Sequence, residues 1–101
     1  MLITINAMGK DNNKSYHHLE RIVRGFSNHR RIEILELLEK RPELSVAEIS
    51  GRLKINFKTA SEHIRRLAVA GLLLKRSDGN NIRHKLTSRG ISILKFLRIL
   101  E

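Results

Sequence analysis

"SVAEISGRLKINFKTASEHIRRLAVAGLLLKR", residues 45–76, decides the fold. It opens on Ser45 with Glu48 three positions on, a capping box in which the serine oxygen meets the N3 amide and the glutamate reaches back. Val46, Ile49 and Leu53 then recur at helical spacing, so a short helix runs to about Leu53 with those three facing inward. Gly51 inside it costs roughly 1 kcal/mol relative to alanine, which implies a packing reason or a weak helix. The turn "KIN" follows, and Asn56 can cap a second helix. Wound at ~100° per residue, that helix puts Ala60, Ile64, Leu67 and Gly71 on one side and Lys58, Ser61, Glu62 and Arg65 on the other. The first side reads as core. The second is polar, mostly basic and rich in hydrogen-bonding groups.

Upstream, "SYHHLERIVRGF" (15–26) carries Tyr16, Leu19, Val23 and Phe26 at helical spacing, with Gly25 near its end. In "SNHRRIEILELLEKRP" (27–42), Ser27 serves as N-cap, Ile32, Leu35 and Leu38 form a stripe, Glu36 and Lys40 make an i,i+4 pair, and Pro42 stops the helix. Residues 1–14 are expected to be a flexible N-terminal segment ahead of a single domain over 15–101. Downstream the period changes from helical to alternating. "LLLKRS" and "IRHKL" are strand-like, and "DGNN" between them carries the signals of a tight hairpin. Ile82, His84 and Leu86 share one face of the second strand, Arg83 and Lys85 the other. "SRGISILKFLRIL" (88–100) closes the chain as a fifth helix. The fold class is mainly α with a small hairpin: five helices and a two-stranded antiparallel wing, the element order of a winged helix-turn-helix.

Length and composition agree. A chain of 101 residues supports one modest core, and with 4% aromatic residues that core rests on Leu, Ile and Val. There is no cysteine, so disulfides and thiolate metal sites are excluded, which suits a cytoplasmic protein. "MLITINAMGK" lacks the features of a secretory signal, and no apolar run approaches the ~20 residues that span a bilayer, so no membrane partner is expected. The net charge of +10 is divided unevenly: residues 1–51 hold 8 Lys/Arg against 7 Asp/Glu, residues 52–101 hold 12 against 3. The basic half faces the partner, and a polyanion is the partner it favours.

The segment 45–76 resembles the core of ArsR-type repressors, in which a Ser-x-His-Leu step is followed by a leucine and then Ala-Gly-Leu before the wing. Here the corresponding residues are Ser61-Glu62-His63-Ile64, Leu67 and Ala70-Gly71-Leu72. "SNHRRIEIL" resembles the start of that family's second helix, so the likeness covers about residues 19–100. It implies a DNA-binding transcription regulator. A helix entering the major groove reads guanine through Arg or Lys, cytosine through a carboxylate and several bases through hydroxyls. Lys58, Ser61, Glu62 and Arg65 are therefore the expected base contacts, and Thr59 and Arg66, to one side, the expected phosphate contacts. Glu62 departs from the basic residue often found there in the family, so it either reads a base or lies off the backbone. Phe57 falls near Ile64 on the wheel, which favours the core, although the matching family position often faces DNA. On the wing, Lys75, Arg76, Arg83 and Lys85 flank the hairpin and suit phosphates, while Asp78 near the tip has the wrong sign. Lysine and arginine on exposed strands also protect sheet edges.

Ile91, Ile93, Leu94, Phe96, Leu97, Ile99 and Leu100 nearly surround the last helix, leaving Ser92, Lys95 and Arg98 as a narrow polar stripe. A helix apolar on most sides is buried from more than one direction. A homodimer is expected, with Tyr16, Leu19, Ile91, Leu94, Leu97 and Ile99 at the interface; the resemblance likewise implies dimerisation through the terminal helices. Such a dimer reads a roughly palindromic operator with half-sites ~34 Å apart. Metal sensing of the kind found in the family lacks support, since the last helix holds no His, Asp or Glu before Glu101. His17 and His18 diverge by ~100° and do not form a chelating pair, and His63 and His84 read as hydrogen-bonded core histidines. No catalytic motif, cofactor or effector is indicated. The competing reading is a winged-helix scaffold that holds another protein without sequence-specific DNA binding.

Overall fold

The caps and the helical periodicity produce the expected five helices and one hairpin. In the computed structural model, which describes residues 12–101, α1 spans Asn12–Phe26, α2 His29–Lys40, α3 Val46–Leu53 and α4 Phe57–Val69. Strands β1 (Leu73–Asp78) and β2 (Asn81–Leu86) follow, and α5 (Ser88–Ile99) ends the fold. The expectation for residues 1–14 lies outside the described residues as far as position 11, and α1 begins at Asn12.

One aliphatic core joins all five helices. Ile34, Leu35 and Leu38 of α2, Ile49 of α3, Ile64 and Leu67 of α4, and Leu94 of α5 are fully buried and pack together with Phe26, Leu44, Leu72, Leu73 and Leu86. On α2 the buried stripe is centred on Ile34, with Ile32 only half-buried, so the helix is rotated from the reading that placed Ile32 inside. Its N-cap is Asn28 rather than Ser27. The Asn28 Oδ1 accepts from the amides of Arg30 at 2.9 Å and Arg31 at 3.2 Å, satisfying two orphan donors of the first turn. The carboxylate on this helix that reaches another element is Glu39, which accepts from Arg98 of α5, and not Glu36, expected to pair with Lys40.

The hairpin has the anticipated register, with Leu73 opposite Leu86 and Asp78 opposite Asn81. Of its two turn residues only Gly79 takes a positive φ, +64°, the arrangement of a type II′ turn. Leu44 forms a bridge to His84, so a single extended residue lies against the outer edge of β2. The passage out of α4 is stitched to the start of α5. The Arg89 guanidinium donates to the Ala70 carbonyl at 3.0 Å, the Thr87 hydroxyl to the Gly71 carbonyl at 2.6 Å and the Thr87 amide to the Leu72 carbonyl at 3.1 Å. Gly90 is pressed against that joint, because a Cβ there would lie 2.4 Å from the Leu72 carbonyl oxygen.

The two helical glycines of α3 and α5 should respond oppositely to alanine. Nothing lies within 4 Å of a Cβ built on Gly51, so Gly51→Ala should raise stability by about 0.5–1 kcal/mol. Gly90→Ala forces backbone apart and should lower it by about 1–3 kcal/mol. Urea unfolding midpoints of the two variants check both signs.

Candidate nucleic-acid interface

The turn between α3 and α4 is fixed by short-range polar contacts. Lys54 takes the left-handed conformation at φ 57°, ending α3. The Ile55 amide then donates to the Ser50 carbonyl at 3.1 Å, and the Ser50 hydroxyl returns a bond to the Ile55 carbonyl at 2.6 Å. The capping box of Ser45 and Glu48 forms in full, and Asn56 caps α4 by accepting from the amides of Lys58 and Thr59. With the turn so defined, Ala60, Ile64 and Leu67 are buried, while Lys58, Thr59, Ser61, Glu62, Arg65 and Arg66 are all exposed on the opposite side of α4. Phe57 is not part of the core. It is 57% exposed at the first position of the helix, beside Lys58, because the cap ahead of it directs the chain outward before the first buried position at Ala60.

Glu62 binds its own helix. Its two oxygens accept from Arg65 Nε at 3.0 Å and Arg65 Nη2 at 2.7 Å, and one of them also accepts from Arg66 Nε at 3.0 Å. The Arg65 hydrogen bonds, followed by that of Arg66, hold the carboxyl at about 2, well below the usual carboxylate range. The result is one negative charge shared by two forks. Arg66 therefore leans toward the same group as Arg65 instead of standing apart from it. Behind this triad lies Arg31, which carries no local sequence signal and is buried on α2 with its Nη1 3.5 Å from His63 Nδ1 and its Nε unpaired. Burial lowers the pKa of both Arg31 and His63, with repulsion among nearby cations adding to it. His63 is half-buried, at the edge of the core and not within it.

On the wing the four expected cations divide into two kinds. Arg76 donates twice to Glu43 Oε1, at 3.0 and 2.6 Å, and Arg83 donates to Asp78 Oδ2 at 2.8 Å and to the Glu43 carbonyl at 3.0 Å. Both arginines therefore brace the hairpin against the chain before α3. Lys75 and Lys85 have no carboxylate partner among the described residues, and the register places them on opposite faces, Lys75 across from His84 and Lys85 across from Leu74. Glu43, which sequence reasoning missed, holds this arrangement at a positive φ of 69° while its amide donates to the His84 carbonyl at 2.8 Å. The Asp78 charge at the tip is matched by Arg83.

The terminal helices leave a wide apolar surface open. Tyr16, Leu19 and Val23 on α1 and Ile91, Phe96, Ile99 and Leu100 at the end of the chain are exposed, Ile99 by 80%. Of the residues expected at an interface, Leu94 is instead 1% exposed inside the protomer core, and Leu97 is half-buried, packed partly against that core. Phe96 and Leu100 occupy the outward side instead. Among the described residues no group of three or more His, Asp or Glu side chains forms that could hold a metal ion, and no helix is long and apolar enough to cross a membrane.

This geometry meets its match among known proteins. The family model of bacterial regulatory proteins of the arsR family matches residues 28–75, from the cap of α2 into β1. Over those 48 residues of its 101, the chain matches the arsR-family helix-turn-helix. The solution structure of a homodimeric winged helix-turn-helix DNA-binding domain from Mycobacterium bovis is 22% identical, with a TM-score of 0.80 over 87% of this chain and 82% of that one, and so shares its fold. Reduced HlyU from Vibrio cholerae is 26% identical, with a TM-score of 0.74, covering 90% of this chain and 96% of its own. The transcriptional regulator HlyU from Vibrio vulnificus is also 26% identical, with a TM-score of 0.70 over 96% and 97% of the two chains. None of the curated proteins matches the chain. In this winged helix-turn-helix fold, α3 and α4 are the helix-turn-helix and β1–β2 the wing.

His84 is a buried titratable ring at the wing's attachment. It is 1% exposed, and because a carbonyl can only accept, its Nδ1 carries the hydrogen it shares with the Leu44 carbonyl at 2.8 Å. Desolvation lowers its pKa against the opposing pull of that hydrogen bond, so the fold favours the neutral ring. In the unfolded chain the ring titrates near 6.5. Its contribution is therefore fully present above that value and is lost as pH falls through it toward the lower folded pKa. Urea midpoints should drop between about pH 7 and pH 5, and His84→Gln should flatten the drop.

Proposed function

We propose that the protein is a sequence-specific transcription regulator, in the main a repressor, that binds double-stranded DNA in the cytoplasm as a homodimer through α4 and the wing. The observation that carries this reading is the two-sidedness of α4. Its buried face is locked into the core, and its outer face offers Lys58, Ser61, Glu62 and Arg65 over less than two turns. That is the composition suited to base edges in a major groove. Thr59 flanks the strip toward phosphates, Arg66 adds its charge beside Arg65 on the shared Glu62, and Phe57 adds an apolar group that suits a thymine methyl. On the wing, Lys75 and Lys85 supply charge to the backbone, while Arg76 and Arg83 hold the hairpin in position. The homodimeric state of the Mycobacterium bovis domain supports pairing through the exposed face of α1 and α5. A two-fold pair of α4 helices fits a roughly palindromic operator with half-sites about 34 Å apart.

Selection of bound duplexes from a random pool should return an inverted repeat. Against that site, Arg65→Ala should cost about 1–3 kcal/mol and relax preference at one base pair, whereas Lys75→Ala should weaken all sequences alike and reduce the salt slope by about 1. Binding without sequence preference at physiological salt, or activity that survives charge reversal at Lys58 and Arg65, would favour a protein scaffold instead. Sedimentation should report a dimer, and Ile99→Glu should convert it to a monomer because it places a charge in the apolar contact.

A further inference from the structure

Between α1 and the second half of α4 lies a groove of about 360 Å³ that adjoins the surface proposed for DNA and shares Arg65 and Arg66 with it. Its rim holds five guanidinium groups, Arg21 and Arg24 from α1, Arg65 and Arg66 from α4, and Arg89 from α5, with His18 beside them. No Asp or Glu lines it. The carboxylates that touch these arginines are Glu62, which engages Arg65 and Arg66, and Glu20, 3.3 Å from Arg24. Arg89 has its Nη1 on the Ala70 carbonyl, and Arg21 makes no ion pair among the described residues. Each guanidinium has five N–H donors, so most of the donors on this rim are unspent.

The floor is apolar. Ile22, Gly25 and Ala70 form it, and Val69, 75% exposed, stands at its edge. The helices approach closely enough that a Cβ on Gly25 would lie 2.4 Å from the Ala70 Cβ, which sets the depth of the groove. At ~100° per residue, Lys58, Glu62, Arg65 and Val69 form one stripe of α4. The surface offered to DNA therefore runs directly to the groove's edge, and Arg65 and Arg66 belong to both surface and groove. The groove side of α1 lies ~140° around the helix from Tyr16, Leu19 and Val23, so pairing through that apolar stripe leaves it open.

We infer that this groove binds a small organic anion, one phosphate or carboxylate on an apolar body, and that its occupancy withdraws Arg65 and Arg66 from DNA. Arginine forks match either anion bidentately, and a floor of aliphatic side chains beneath a few convergent charges suits a ligand of this size. The coupling rests on the DNA-binding function proposed above and is reciprocal by linkage: what DNA loses in affinity when the ligand is bound, the ligand loses when DNA is bound.

Phenyl phosphate and benzoate are the probes, with inorganic phosphate and phenol as their separate halves, titrated into the full chain and followed by amide NMR shifts. Saturable shifts are expected at residues 21–25 and 65–70, with phenyl phosphate at least about tenfold tighter than either half. Arg21→Gln should weaken it by about tenfold, and so should Val69→Glu, which places a carboxylate at the groove's apolar edge; both sites are exposed, so the fold is retained. Saturating probe should lower operator affinity about tenfold in the parent and little in Arg21→Gln. The inference is overturned if neither probe saturates, if inorganic phosphate binds as well as phenyl phosphate, if both variants bind like the parent, or if bound probe leaves DNA affinity unchanged. A chain that binds no duplex would overturn the DNA reading and its coupling, while the titration judges the groove separately.

Discussion

The burial of Ala60, Ile64 and Leu67 against Ile34, Leu35 and Ile49 is the constraint on which the rest of the molecule depends. A thirteen-residue helix with one face fixed in this way has no rotational freedom left, so the identity of its outward residues is decided by the identity of its inward ones. The preceding cap and turn fix where it starts, and the Ala70–Leu72 joint fixes where it ends. Lys58, Ser61 and Arg65 thus hold their places without making structural contacts of their own beyond the helix.

Charge is distributed with the same division of labour. Of the cations that a count of the C-terminal half would assign to a partner, Arg76, Arg83 and Arg98 are engaged by Glu43, Asp78 and Glu39, and Arg65 and Arg66 share Glu62. The lysines at 58, 75 and 85 have no carboxylate partner among the described residues. Exposed ion pairs of this kind add little stability. Their effect here is on geometry, because a carboxylate that holds two forks sets the direction in which both arginines point before any partner arrives.

Much of this was legible in the sequence because the signals were local. A capping box, an Asn cap, a change of period and an Asp-Gly turn each act over four or five residues, and the structure contains all four. The errors share a cause. Ser27 and Asn28 are adjacent and both can cap, so only the phase of the buried stripe on α2 separates them, and that phase depends on packing. Phe57 was read inward from its angle on an ideal wheel, although at the first position of a helix the cap directs the chain more strongly than the wheel does. Leu94 could not be separated from Ile91 and Ile99 while the whole helix read as apolar. Glu43, Glu39 and Arg31 gave no local signal, since each acts on a residue more than thirty positions away.

The stitched joint sets what can vary in such a chain. Ala70, Gly71 and Leu72 each surrender a carbonyl to Thr87 or Arg89, so the beginning and end of the wing are clamped within one small patch of backbone. The two-residue loop at Gly79 and Asn80 lies beyond that clamp, with open space beside Gly79. Extra residues inserted there would lengthen the ribbon and extend its reach while the helices kept their spacing, whereas a single insertion between Val69 and Leu73 would shift every element after it. Diversification of this architecture is therefore channelled into the hairpin's outer end.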